Sequence, residues 1–248
     1  MKRIRFAAGF IAVLMLVTSV VQATEPKESS VVLHEEAIAD VSLSVDDWKL
    51  LLVNPWNQIP ENYKIVHKKL ANGLTVDERI YDDLSAMLSD CWKAGLKPIV
   101  CSAYRSQATQ QRLYRNKITR LRAAGYGYES AVKEAGRWVA VPGTSEHHTG
   151  MALDIVSSSY QILDTKQEET PEQKWLMEHC WEYGFILRYP SDKSELTGIG
   201  YEPWHYRYVG REASMAIKER GFCLEEYIEF LKEEPHALFI EDEIMMYQ

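Results

Sequence analysis

Two short segments far apart in the chain carry matching chemistry, and any fold this sequence adopts has to bring them together. The first is Ser145-Glu146-His147-His148-Thr149-Gly150-Met151-Ala152-Leu153-Asp154, and the second is Glu202-Pro203-Trp204-His205. His147, Asp154 and His205 supply two imidazoles and one carboxylate. Zinc accepts that donor set in catalytic sites, where three protein ligands leave a fourth position for water. Glu202, three residues before His205, is then expected to act as the base for that water. No His-Glu-x-x-His helix is present, so the pattern lacks that more specific metallopeptidase signature.

Strand parity sharpens the expectation. In a strand over 151–156, Met151, Leu153 and Ile155 share one face and Ala152, Asp154 and Val156 the other. Burying the first set leaves Asp154 beside the small Ala152, with His147 in the preceding 143–149 loop able to swing over the same side. In a second strand over 204–209, His205 and Arg207 point one way and Trp204, Tyr206 and Tyr208 the other. Pro203 breaks a regular ladder, and a bend there is required if Glu202 and His205 are to reach one side. Arg105, just after a strand expected over 98–104, is the candidate cation for a developing oxyanion. Singly, each residue has a plainer reading: Asp154 as a turn carboxylate, Glu202 as an exposed acid, Arg105 as a surface cation, Ser145 as a cap. His67, His148, His179 and His236 read as structural or exposed histidines.

Around these motifs, apolar positions 84, 87, 88 and 92 predict a helix over 81–94 that Gly95 stops. Helices are also expected over 107–124, 129–139, 171–183 and 211–220, with a short strand over 185–188. Strands and helices do not alternate as regular βαβ units. That points to an α+β domain with a mostly antiparallel central sheet flanked by helices. The 248 residues and 46% hydrophobic content suit one domain with extra length, placed at 46–235 with a tail over 236–248. A formal net charge of -8 argues against a nucleic-acid partner.

Lys2, Arg3 and Arg5 precede the apolar run Phe6–Val21, and Val21-Gln22-Ala23 offers small residues at cleavage-type positions. This order predicts a secretory signal peptide over 1–23, with an uncleaved membrane anchor as the alternative. Either way the rest of the chain is expected outside the cytoplasm, secreted or anchored at the wall side, with 24–45 as a polar linker. In that compartment the four cysteines either pair, with Cys91–Cys101 and Cys180–Cys223 the favoured connectivity, or stay as buried thiols.

Ser145-x-His147-x-x-Gly150-x-Ala152-x-Asp154, Glu202-Pro203-Trp204-His205 and Tyr104-Arg105-Ser106-x-x-x-Gln110 together resemble the VanY-type D-alanyl-D-alanine carboxypeptidase family. That family belongs to a group with lysostaphin-type endopeptidases and the hedgehog signalling domain. The likeness covers roughly residues 50–225, with three motifs in the family's order. It implies zinc on His147, Asp154 and His205, with Glu202 as catalytic base and Arg105 steadying the tetrahedral intermediate. Ser145 and Gln110 would help hold the substrate's terminal carboxylate or peptide, Trp204 would line the pocket, and Tyr104 and Ser106 belong to the same substrate-binding motif. Ala103 stands where the family often has glycine. The implied activity is removal of the terminal D-alanine from peptidoglycan stem peptides. An L,D-carboxypeptidase acting on tetrapeptide stems and a non-catalytic, zinc-stabilised wall-binding or signalling module are the alternatives.

Overall fold

The computed structural model describes residues 44–233. The leader expected at 1–23, nearly all of the 24–45 linker and the 236–248 tail lie outside the described residues. A small hairpin of β1 (His67–Lys69) and β2 (Thr75–Asp77) leads into α1 (Tyr81–Lys93). That helix buries Leu84, Met87 and Cys91, the i, i+3, i+7 spacing of one helical face. Next come β3 (Pro98–Ser102), α2 (Gln107–Ala123) and α3 (Tyr128–Gly136). Ser106 caps α2 by accepting from the Thr109 amide at 3.3 Å. The central strand β4 (Ala152–Ser157) is followed by α4 (Pro171–His179), which opens on a Thr170 cap and a proline in its first turn. The chain then runs through β5 (Phe185–Leu187), α5 (Ser194–Thr197), β6 (His205–Tyr208), α6 (Arg211–Arg220) and α7 (Leu224–Glu233).

The main sheet has the order β3-β4-β6-β5, and every pairing in it is antiparallel. This is the expected α+β architecture. Leu153 and Ile155 of β4, Tyr206 and Tyr208 of β6, and Val100 of β3 form the principal core with Leu84 and Met87 of α1 and Leu176 of α4. A second cluster joins Leu50 and Val209 to Ala213 and Ile217 of α6 and to Leu224, Tyr227 and Ile228 of α7.

Several elements differ from the sequence expectation. The helix expected over 171–183 ends at His179 and tightens into a 3-10 turn over Cys180–Tyr183. The first hairpin escapes pattern reading because His67, Lys68 and Lys69 are all exposed and show no alternation. Helix α7 carries a clear period through Leu224, Tyr227 and Ile228, and its apolar face closes the second cluster.

The disulfide pairing is corrected: all four cysteines are free thiols. The register of β3 against β4 shifts between Val100 and Ser102, which makes Cys101 the odd residue of a bulge. Cys101 is exposed while Val100 faces the core under α1, where Cys91 is buried, so the two thiols point away from each other. Cys180 belongs to the principal core, whereas Cys223 precedes α7 and donates its amide to Glu226 at 2.8 Å. Burial pushes Cys91 and Cys180 up to about 12, which keeps them protonated and unreactive.

Candidate active site

The register of β4 against β6 sets Asp154 directly opposite His205, so two of the three expected ligands are cross-strand neighbours in the middle of the sheet. His147 arrives from a short helical turn, Glu146–Thr149, that ends at Gly150. Gly150 has φ +71°, and a Cβ there would meet the Asp77 amide at 2.8 Å. That amide donates to the Gly150 carbonyl at 3.0 Å, so only glycine lets β2 pin the end of the histidine turn. The ligand atoms of His147, Asp154 and His205 lie within 4.8 Å of one another, and all three side chains are buried.

Hydrogen bonds decide which atoms converge. His147 Nδ1 lies 2.7 Å from the Ala103 carbonyl, which can only accept, so Nδ1 carries the proton. The Nε2 lone pair is thereby aimed at Asp154 Oδ1, 3.3 Å away. His205 presents Nδ1 to the same Oδ1 at 3.1 Å. Two imidazole nitrogens and one carboxylate oxygen therefore face a common point, the donor set and geometry of an open zinc site. Burial and the Arg105 charge push His147 down to about 4, which keeps it neutral and able to ligate. Burial opposes ionisation of Asp154, but the Arg105 charge and the His205 hydrogen bond hold it well below the usual carboxylate range. His205 is pushed up to about 9, because the acceptors Asp154 and Glu146 outweigh its burial.

The bend required at Pro203 is present. The His205 amide donates to the Glu202 carbonyl at 3.1 Å, a single turn that places Glu202 Oε2 3.7 Å from His205 Nδ1. Glu202 is 7% exposed. Burial raises its carboxyl to about 8, with the Asp154 charge adding to the rise and His205 opposing it. Such a group exchanges a proton readily near neutral pH. Arg105 does two things that the sequence did not disclose. Its Nη2 is paired with Asp154 Oδ2, and its Nε donates to Ser102 Oγ at 2.8 Å. The β3 bulge makes this possible by setting Ser102 opposite Asp154. Arg105 thus fixes the Asp154 rotamer, with Oδ1 turned to the histidines and further guanidinium donors left over.

These residues line a cavity of about 340 Å³ together with Gln110, Ser145 and Trp204. Gln110 is fully buried, and its Nε2 donates to the Ala140 carbonyl at 2.8 Å. Among the described residues its Oε1 has no partner, which makes it an acceptor for an N–H rather than a donor to a carboxylate. Tyr104 and Ser106 are not among the residues lining the cavity. Ser106 is spent on capping α2, and Tyr104 packs edge-on against His67 with ring centroids 4.8 Å apart. His148 is structural, with Nδ1 2.7 Å from the Arg105 carbonyl and Nε2 accepting from the Gly143 amide.

Sequence reasoning missed Glu146. It is 1% exposed, and its Oε1 accepts from Arg188 Nε and Arg207 Nη1, each at 2.8 Å. Its Oε2 lies 3.6 Å from His205 Nε2, and among the described residues neither atom has another hydrogen-bond partner. Both arginines are fully buried, and Arg188 also forks onto the Glu225 carboxylate at 2.6 and 2.8 Å. Parity held a signal for this clamp: Arg207 shares the face of His205, and a cation on a buried strand face needs an acid.

Comparison with known proteins gives a consistent picture. Residues 73–211 match the family model described as VanY, D-alanyl-D-alanine carboxypeptidase. A D-alanyl-D-alanine carboxypeptidase of Enterococcus faecalis is 44% identical over 182 residues, covering 73% of this chain and 66% of the relative. One of Enterococcus faecium is 44% identical over 177 residues, covering 68% of this chain and 51% of the relative. The chain therefore spans about two thirds and about half of those two proteins. The solved structure of VanYB with D-alanine-D-alanine superposes with a TM-score of 0.69 at 44% identity, over 74% of this chain and 98% of that one. A VanY mutant from a VanB-type resistance cassette, in complex with Zn(II), gives 0.68 at 42% identity, over 73% and 99%. The LD-carboxypeptidase LdcB gives 0.62 at 32% identity, over 74% and 88%.

Proposed function

Because this chain belongs to the VanY family of D-alanyl-D-alanine carboxypeptidases, we propose that it is a zinc-dependent carboxypeptidase that removes the terminal D-alanine from peptidoglycan stem peptides. The observation that carries the reading is the convergence of His147 Nε2, Asp154 Oδ1 and His205 Nδ1 beside a buried, non-ligating Glu202. A structural zinc site needs neither that carboxyl nor Arg105, which weighs against a purely binding module.

Zinc on these three residues supplies Lewis acidity at the scissile carbonyl and lowers the pKa of water to about 7. Glu202 takes the proton from the attacking water and returns it to the nitrogen of the departing D-alanine. Arg105 offers its remaining donors to the oxygen on which negative charge develops, while its pairing with Asp154 keeps the ligand from rotating. Gln110 Oε1 accepts a peptide N–H, Ser145 contributes its hydroxyl to the substrate, and Trp204 walls the cavity. A D,D specificity is supported by the 44% identity to D-alanyl-D-alanine carboxypeptidases, against 32% to the LD-carboxypeptidase.

Export supports a wall substrate: Lys2, Arg3, Arg5 and the apolar run after them read as a secretory leader or a membrane tether. Fractionation of cells expressing the full chain tests this, and a wholly cytoplasmic protein would remove it.

The function itself is tested by mass spectrometry of penta- and tetrapeptide stems incubated with purified protein. Loss of one alanine from the pentapeptide is expected, abolished by chelation and restored by zinc. Glu202→Gln is expected to keep its zinc and lose turnover by about 10²–10⁴-fold. Hydrolysis that survives chelation, or a zinc-loaded Glu202→Gln protein with normal rates, contradicts the assignment. Cleavage of the tetrapeptide alone selects L,D specificity instead.

A further inference from the structure

Helix α2 is the most basic element of an acidic chain. It carries Arg112, Arg115, Lys117, Arg120 and Arg122 and no acid, in a protein of formal net charge -8. Like charges one turn apart on a helix repel, so such an element gains from an anionic partner. Among the described residues no carboxylate pairs with any of the five.

Two of these cations face the active-site cavity. Gln110, Leu113, Lys117 and Arg120 fall at i, i+3, i+7 and i+10 along one face of α2, and all four line the cavity. Lys117 is half-buried, and its ammonium stands 5.7 Å from the centre of the Trp138 ring. Trp138 is a fixed support. Its Nε1 donates to Glu134 at 2.7 Å, and its ring lies against Gly200, where a Cβ would approach to 2.8 Å. The Gly200 amide also donates to the Arg137 carbonyl at 2.8 Å, tying the end of α3 to the segment that leads to Glu202. The other cation near the metal ligands, Arg105, spends Nη2 on Asp154 and Nε on Ser102 and has only its remaining donors to offer.

We propose that Lys117, held over Trp138, and Arg120, about one turn further along α2, form a subsite for a carboxylate of the peptide substrate. Unpaired cations in a half-enclosed cavity bind a carboxylate through charge-assisted hydrogen bonds. The buried Gln110 Oε1, orphaned two helical turns before Lys117, accepts an N–H of the same peptide. Lys117 stands about 10 Å along the helix from Gln110, the span of about three extended residues. Two carboxylates of a stem peptide fit this chemistry: the one at the scissile C-terminus and one on the acyl side. The proposal rests on the carboxypeptidase reading.

The test measures binding of three peptides ending in D-Ala-D-Ala to zinc-loaded, full-chain Glu202→Gln protein, with and without Lys117→Gln and Arg120→Gln. One peptide carries an acyl-side carboxylate and a free C-terminus, the second has the acyl-side group amidated, and the third has the C-terminus amidated. The two substitutions together are expected to weaken the first peptide by about 10–100-fold. They should weaken whichever amidated peptide has lost the recognised carboxylate by less than about twofold. Equal weakening of all three, or weakening of none, overturns the subsite. Turnover by the wild-type chain is measured alongside. A wild-type chain that cleaves no peptide removes the carboxypeptidase reading and the subsite with it. Normal turnover with charge-indifferent variants removes the subsite alone.

Discussion

The two faces of strands β4 and β6 are built from the same pairings and obey opposite rules. On one face Leu153 stands against Tyr206, and with Ile155 and Tyr208 it packs into the principal core. On the other, Asp154 stands against His205 and Ala152 against Arg207, all of them buried, with Glu146 set over the histidine and the arginine. Apolar side chains need only be excluded from water, and neighbours of roughly the right volume suffice. Buried charges need partners at hydrogen-bond distance, and here these come from loops and helices remote in sequence: Arg188, Glu225 and the Lys49 and Leu51 carbonyls. The apolar face holds the sheet together. The polar face is a frame whose unpartnered atoms among the described residues, Glu146 Oε2 and His205 Nε2, face each other behind the metal-facing Nδ1.

Substitutions that separate the two faces test this contrast, and the largest effect is expected at Glu146. Glu146→Ala leaves two buried guanidinium groups without their shared acceptor and should cost about 3–5 kcal/mol of stability. It also frees the far nitrogen of His205, so zinc affinity should fall by about 10–100-fold in the fraction that folds. Glu146→Gln preserves the shape and separates the two readouts, since it should lose more affinity than a surface control of equal stability. Calorimetric zinc titration beside urea unfolding measures both.

On the opposite face, Leu153→Ala should cost about 2–5 kcal/mol through the cavity it leaves. Zinc affinity should stay within about twofold, because no ligand or ligand support is touched. A large loss of zinc binding from this substitution would break the distinction between the faces.

The smallest effect is expected at the outer end of the frame. Glu225 is held below its ordinary 4.5, where burial opposes ionisation and Arg188 overcomes it. A carboxyl depressed in the folded state contributes stability that is full above its unfolded value and is lost as pH falls through its folded one. Glu225→Gln should therefore destabilise by about 1–3 kcal/mol near neutral pH. That difference should shrink steadily below about pH 4.5. Urea unfolding across the acid range checks the sign, and a penalty that grows in acid contradicts the pairing.

The same contrast explains what the sequence could disclose. Strand alternation was enough to place Leu153 and Ile155 together and to set Asp154 on the other face with Ala152, and the motif spacing demanded the bend now seen between Glu202 and His205. Helices whose apolar residues recur at helical spacing, such as α1, were readable for the same reason. The register that sets Asp154 opposite His205 was not readable, because no local pattern encodes which residue of one strand meets which of another. The bulge at Cys101 also depends on tertiary pairing, and missing it made a Cys91–Cys101 bridge look feasible. Glu146 sat in plain view between Ser145 and His147. Its role depends on Arg188 and Arg207, whose positions follow from the folded sheet alone.

The central claim is that one face of β4 and β6 presents three atoms to a single zinc ion while Glu202 and Glu146 stand by without binding it. X-ray diffraction of zinc-loaded protein at the zinc absorption edge tests this most directly. The account predicts one anomalous peak about 2.0–2.2 Å from His147 Nε2, Asp154 Oδ1 and His205 Nδ1. A peak bound through His205 Nε2, or with Glu202 or Glu146 as a ligand, would contradict it.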